Sequence, residues 1–231
     1  MVIVPLYDRD PLERNTMPYV TYGLILANVL VFVLELCLDP EVDAGFVQQF
    51  ALIPAALPGE LSSEGAILTA LTFATYTLLH GGWVHLIGNM LFLWVFGDNV
   101  EDAMGHGRFL VFYLACGIAG GAAYALSAPA ATAPLVGASG SIAGIVAAYL
   151  MLRPCARIEV FLFVFPVAMA AYWALGGWIV LQVVNILEHT DDGIAWWTHV
   201  GGLSAGALLV LVLRRPDVRL FDCMRPPARL A

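Results

Sequence analysis

Lysine is absent from this chain of 231 residues, and all ten of its basic side chains are arginines. Charge of either sign is scarce at 12% of residues, where a soluble domain carries about a quarter. Hydrophobic residues make up 61%, and the mean hydropathy is +0.84. That leaves too little polar surface to cover a globule in water, which excludes an ordinary soluble domain and points to a polytopic membrane protein. The formal net charge of −8 argues against a nucleic-acid partner, which needs a basic patch. Cysteine is sparse too. Cys37, Cys116, Cys155 and Cys223 show no C-x-x-C or metal-type spacing, so no disulfide framework is expected. "LELC" is not a lipoprotein cleavage site, because Glu35 and Leu36 stand where small residues are needed. The first apolar run has no A-x-A site and is too long for a signal-peptide core, so it reads as a retained span.

What is present is a series of long apolar runs. A helix needs about 20 residues to cross ~30 Å of hydrocarbon. Runs at approximately 19–38, 83–97, 109–128, 138–152, 160–187 and 196–213 predict six spans. The segment 39–82 carries Pro40, Pro54, Pro58 and the polar "GELSSEG", and its second half is apolar enough to lie in the membrane interface. Arg9, Arg14, Arg108, Arg153, Arg157, Arg214, Arg215, Arg219, Arg225 and Arg229 all fall on one side of this arrangement. The opposite loops carry only acids: Asp39, Glu41, Asp43, Glu60, Glu64, Glu188, Asp191 and Asp192. The positive-inside rule makes the arginine side cytoplasmic, with both termini inside.

Ionisable and polar groups within spans are candidates for function. The costly ones are His85 and Asn89 in the second span, Ser139 in the fourth and His199 in the sixth. Counted back from the first charge at the inner end of each span, His85, Ser139 and His199 lie about 13, 14 and 15 residues in, or roughly 20–22 Å. In a core of about 30 Å all three share one plane, roughly 8–10 Å below the outer face. Asn89 follows His85 one turn deeper on the same helix face. Small residues repeat at Ser139, Ala143 and Ala147, at Gly140 and Gly144, and at Gly202 and Gly206. Such faces let helix backbones approach in lipid, which would carry His199 to Ser139.

Those residue types suggest acyl-transfer chemistry. A serine hydroxyl needs a base of near-neutral pKa, which histidine supplies. Attack on a peptide carbonyl needs an oxyanion site. The Ser139 backbone N–H, at the start of a helix, is a free donor, and His85 and Asn89 add side-chain donors. No carboxylate lies at that depth, so a Ser-His dyad is expected in place of a triad. The soluble-hydrolase elbow G-x-S-x-G does not apply, because Ser141 occupies its last glycine position. A metal site from His80, His85 and His199 lacks an H-E-x-x-H companion and leaves Ser139 unexplained, so no metal is expected. Taken singly, "GASG" is also a packing patch and Asn89 an interhelical hydrogen bond.

"HGGWVHLIGNMLFLWVFGDNVEDAMGHGRFLVFYLACG", "GASGSIAG" and "HVGGLSAG", in this order, resemble the rhomboid family of intramembrane serine proteases. The resemblance runs from "PLYDRDPLERNTMPYVTYGLILANVLVFVLEL" to the sixth span. It implies an all-α polytopic membrane protein, a six-transmembrane-helix rhomboid-like bundle over 19–214 with cytoplasmic segments 1–18 and 215–231. It implies Ser139 as nucleophile, His199 as general base, and His85, Asn89 and the Ser139 N–H as the oxyanion site. Glu101, Gly105 and Arg108 match a structural link after the second span. Single-span membrane proteins in the lipid bilayer are the implied substrates, with no cofactor, in the cytoplasmic membrane.

Gly137 and Ala138 precede the nucleophile and fall in the expected substrate region. Gly176, Gly177, Trp173 and Trp178 make the fifth span an expected lateral gate, and water is expected to reach Ser139 from the outer side, between the cap "EHTDDGIAWW" and the long first loop. Two departures stand out. Ala143 replaces an aromatic residue that often packs on the histidine ring in this family, and the first outer loop lacks a Trp-Arg pair. A pseudoenzyme that binds membrane clients is the rival reading, though such relatives typically lose the serine or the histidine. A channel or transporter fits less well, because the polar groups cluster at one depth and do not form a path.

Overall fold

A computed structural model describes residues 3–8, 10–14, 17–60, 65–162, 165–188 and 195–223. Arg9, Glu64, Asp191, Asp192, Arg225, Arg229 and most of the 188–197 cap lie outside the described residues. The helices are α1 (Tyr19–Cys37), α2 (Pro40–Phe50), α3 (Leu57–Glu60), α4 (Ala66–Thr75), α5 (Trp83–Met104), α6 (His106–Ser127), α7 (Ser139–Leu152), α8 (Ala171–Leu187) and α9 (Trp196–Leu213). Three of them, α1, α6 and α9, are long and apolar enough to cross a membrane. The segment Ala66–Leu78 meets α5 at 85°, and the number rises to four if this bent pair forms one span. Helices α7 and α8 are shorter and apolar. The protein is a mostly helical, multi-pass membrane protein.

The brevity of α7 has a physical consequence. Its 14 residues extend about 21 Å, less than the ~30 Å core, so a bilayer around it would leave irregular backbone at hydrocarbon depth. Irregular backbone at that depth has to be enclosed by protein. The approach to α7 is enclosed. Leu135 exchanges backbone bonds with Leu52 (2.9 and 3.2 Å), the Gly137 N–H donates to the Tyr76 carbonyl (2.9 Å), and Leu135, Gly137 and Ala138 are buried.

Helix α1 has no capping side chain of its own. Its first N–H groups, on Val20 and Thr21, donate to the Glu101 carboxylate of α5 at 3.0 and 2.8 Å, and the Thr21 hydroxyl adds a third bond at 2.7 Å. A carboxylate there meets the positive end of the helix dipole. Glu101 is fully buried and also bonds His106 Nδ1, whereas Arg108 is exposed. Of the link expected after the second span, Glu101 makes the fastening.

The fifth span needs correcting. The run 160–187 reads as one helix, but its first part is strand. A three-stranded antiparallel sheet orders β1 (Ile3–Asp8), β2 (Arg157–Leu162) and β3 (Phe165–Ala170), and the helix begins only at Ala171. Pro166 explains the break, since proline inside a helix removes a hydrogen bond and clashes with the preceding turn. It sits on an edge strand, where it is tolerated. Ile158 and Val160, two residues apart, are both buried, as one face of a strand requires. Hydropathy alone does not distinguish this apolar hairpin from a span.

The sheet closes one end of the bundle, and polar groups fasten it there. Asp8 Oδ2 accepts from Tyr149 OH and Asn99 Nδ2, both at 2.7 Å, and Arg153 Nε donates to Asp10 at 2.6 Å. Burial pushes the Asp8 carboxyl up to about 8, with Asp98 and Asp10 adding to the rise. The Ala171 and Tyr172 N–H groups of α8 donate to the Ala156 and Pro154 carbonyls at 2.9 and 3.0 Å. A second correction concerns cysteine: Cys155 and Cys223 are bonded, with Cα atoms 5.0 Å apart. The segment after α9 turns back under α7, where the Phe221 N–H donates to the Met151 carbonyl at 2.7 Å. That return brings together two cysteines whose sequence spacing carries no signal.

Candidate active site

The site forms where α5, α7, α8 and α9 converge at the end of α7 away from the sheet. Helices α7 and α9 meet backbone to backbone. A Cβ built on Gly202 would overlap the Gly140 carbonyl oxygen, and one on Gly206 would overlap the Gly144 carbonyl oxygen. The small residues read from the sequence are therefore the contact itself. Ser139 immediately precedes Gly140, and His199 lies one turn before Gly202, so the seam sets both at the same level on facing helices. Ser139 is the first residue of α7 and partly exposed, and its N–H belongs to the first turn, where no intrahelical partner exists.

His85 and Asn89 approach from α5. Gly137 has φ +118°, a conformation that favours glycine, and a Cβ there would come within 2.5 Å of the His85 ring. The Asn89 amide nitrogen stands 3.7 Å from the same point and donates to His80 Nε2 at 3.1 Å. Each amide nitrogen has two hydrogens, so Asn89 keeps a second donor. His80, read from the sequence only as part of a metal set, is thus the partner of Asn89. Among the described residues no group of three or more His, Cys, Asp or Glu side chains could hold a metal ion.

His199 is buried, and its ring is held differently from the family habit that Ala143 departs from. Trp178 of α8 lies over it at 5.9 Å between centroids, tilted 35°, and Trp196 meets it edge-on at 5.7 Å. Nδ1 donates to Gln182 Oε1 at 2.8 Å, and Gln182 is itself buried. Gln182 was missed in the sequence. Its signal was present, as an amide inside the apolar "WIVLQVVNIL", and intramembrane polar residues are candidates by default. Of the expected gate residues, Trp178 reaches His199 and also approaches Phe92 of α5 at 5.9 Å. Trp173 lies in the first turn of α8, exposed beside Tyr172, at the sheet end and away from Ser139.

Residues 68–216, more than half of the chain, match the family model described as Rhomboid domain. The rhomboid protease GluP of Bacillus subtilis is 30% identical over 214 residues, covering 90% of this chain and 37% of that protein. Rhomboid protein 1, mitochondrial, of Saccharomyces cerevisiae is 31% identical over 139 residues, covering 56% of this chain and 38% of its own length. RHOMBOID-like protein 1 of Arabidopsis thaliana is 26% identical over 233 residues, covering 91% and 57%. The chain thus spans between about a third and three-fifths of the length of these relatives. The family match extends from the segment before α5 to just beyond α9, and so takes in every helix that lines the site: the chain belongs to the rhomboid family.

Proposed function

We propose that the protein is an intramembrane serine endopeptidase that hydrolyses peptide bonds in or near the spans of single-span membrane proteins. The observation that carries this reading is the glycine seam, which holds Ser139 and His199 level on helices whose backbones touch. Ser139 Oγ attacks the scissile carbonyl while His199 Nε2 takes its proton and later passes it to the leaving amine. The Ser139 N–H, the His85 ring and the free Asn89 hydrogen serve the developing oxyanion. Water then hydrolyses the acyl-enzyme, with His199 as base again. The name of the B. subtilis relative as a protease supports the same reading.

In this reading the protein lies in the cytoplasmic membrane with the sheet end and both termini in the cytoplasm. The described arginines Arg14, Arg108, Arg153, Arg157, Arg214, Arg215 and Arg219 gather towards the sheet end, which supports this orientation under the positive-inside rule. The test is labelling by a fluorophosphonate, a serine-directed probe, on the detergent-solubilised chain. Wild type is expected to be labelled and Ser139→Ala to be silent. Labelling that persists in Ser139→Ala overturns the assignment, and a wild type that stays unlabelled favours a client-binding pseudoenzyme.

A further inference from the structure

We propose that Gln182 is the positioning residue for the His199 base, and that α8 therefore completes the site from outside the α7–α9 seam. The inference rests on the Ser139–His199 reading above. Neutral imidazole has two tautomers, and only the one with its proton on Nδ1 leaves the Nε2 lone pair free to take the serine proton. Aromatic neighbours restrict the plane of a ring but do not choose its tautomer. Trp178 and Trp196 do the first for His199. Gln182 Oε1 does the second: a carbonyl oxygen accepts and never donates, so its place 2.8 Å from Nδ1 favours the tautomer with the hydrogen there. The bond is buried on both sides, away from water that would compete for it.

The role corresponds to that of the third member of a serine triad, filled by a neutral amide, which orients the ring without placing a charge in the membrane. It also answers the departure at Ala143. The ring support absent from α7 comes from α8, which brings Trp178 and Gln182 one turn apart on one face. Orientation of the base consequently depends on where α8 stands, whereas its distance from Ser139 does not.

The experiment compares fluorophosphonate labelling rates against pH for the full chain, wild type, Gln182→Met and Gln182→Glu, with thermal unfolding of each in parallel. Gln182→Met keeps size but removes the acceptor. It is expected to label on the order of 10²-fold more slowly at an unfolding midpoint close to wild type. Gln182→Glu restores an acceptor, and its carboxylate favours imidazolium, so labelling is expected to recover with the acid limb moved to higher pH. Wild-type rates with an unmoved acid limb in Gln182→Met overturn the positioning role while leaving the dyad intact. If Gln182→Met does not fold, an unmoved acid limb in Gln182→Glu overturns it. A wild type that is never labelled at Ser139 defeats the dyad reading itself, which is a distinct result.

Discussion

Helix α7 has two neighbours of opposite character. Against α9 it makes backbone contact, glycine to carbonyl, with no room for a methyl group at Gly202 or Gly206. Helix α8 reaches the site through two long side chains, and its Gly176 has nothing within 4 Å. Tyr172, Trp173, Val180, Val183 and Leu187 point outward from α8 and are exposed. Main-chain contact has no rotamers and yields little, so it suits a distance that must not vary. Side-chain contact from an exposed helix is adjustable. In the proposed site, the spacing of Ser139 and His199 would thus rest on one contact and the orientation of the histidine on the other.

The largest effect should come from breaking the seam. Gly202→Ala drives a methyl group into the Gly140 carbonyl, and neither backbone can step aside without parting α7 from α9. A loss of about 2–3 kcal/mol in unfolding free energy is expected. Labelling at Ser139 should fall on the order of 10²-fold from the displaced geometry alone. Chemical denaturation and probe kinetics on one preparation would read both, and wild-type values for either would refute the seam as spacer.

A smaller effect belongs to the sheet that holds the base of α8. The Asp8 carboxyl, raised to about 8 by burial, is protonated in the folded protein at pH values where the unfolded chain has already lost that proton. The folded state then binds more protons, so the contribution of Asp8 to stability is full below the ordinary carboxyl range and is lost as pH climbs through about 8. The unfolding midpoint should decline from pH 5 to pH 8.5, and Asp8→Asn should flatten that slope. An identical slope in the variant would remove Asp8 as its source. The smallest change is the control for the seam: Gly176→Ala meets open space in a helix and should stabilise by up to about 1 kcal/mol. A destabilised Gly176→Ala would show that α8 is packed as tightly as α9.

Much of this contrast was legible in the sequence. The runs 19–38, 138–152 and 196–213 lie within a residue of α1, α7 and α9, because long apolar segments with abrupt polar ends leave little choice of boundary. The small-residue spacing identified the face that became the seam. Four features escaped. The hairpin 157–170 is as apolar as a helix would be, and only Pro166 marked it. Gln182 shares its run with apolar neighbours that dominate a hydropathy average. The Cys155–Cys223 bond and the anchoring of Asp8 by Asn99 and Tyr149 depend on distant segments that return to one end, and no local pattern records that.

The bonds from Ala171 and Tyr172 to the 154–156 turn make α8 a lever. Its pivot is at the sheet, and Gln182 lies about 16 Å along the arm at 1.5 Å per residue. A tilt of about 10° about that pivot carries the amide roughly 3 Å sideways, more than a hydrogen bond tolerates. The same swing shifts Trp178, nearer the pivot, by about two-thirds as much, given the constant rise of the helix. The length of the arm thus makes the bond at Nδ1 the contact of α8 most sensitive to the angle at which the helix leaves the sheet.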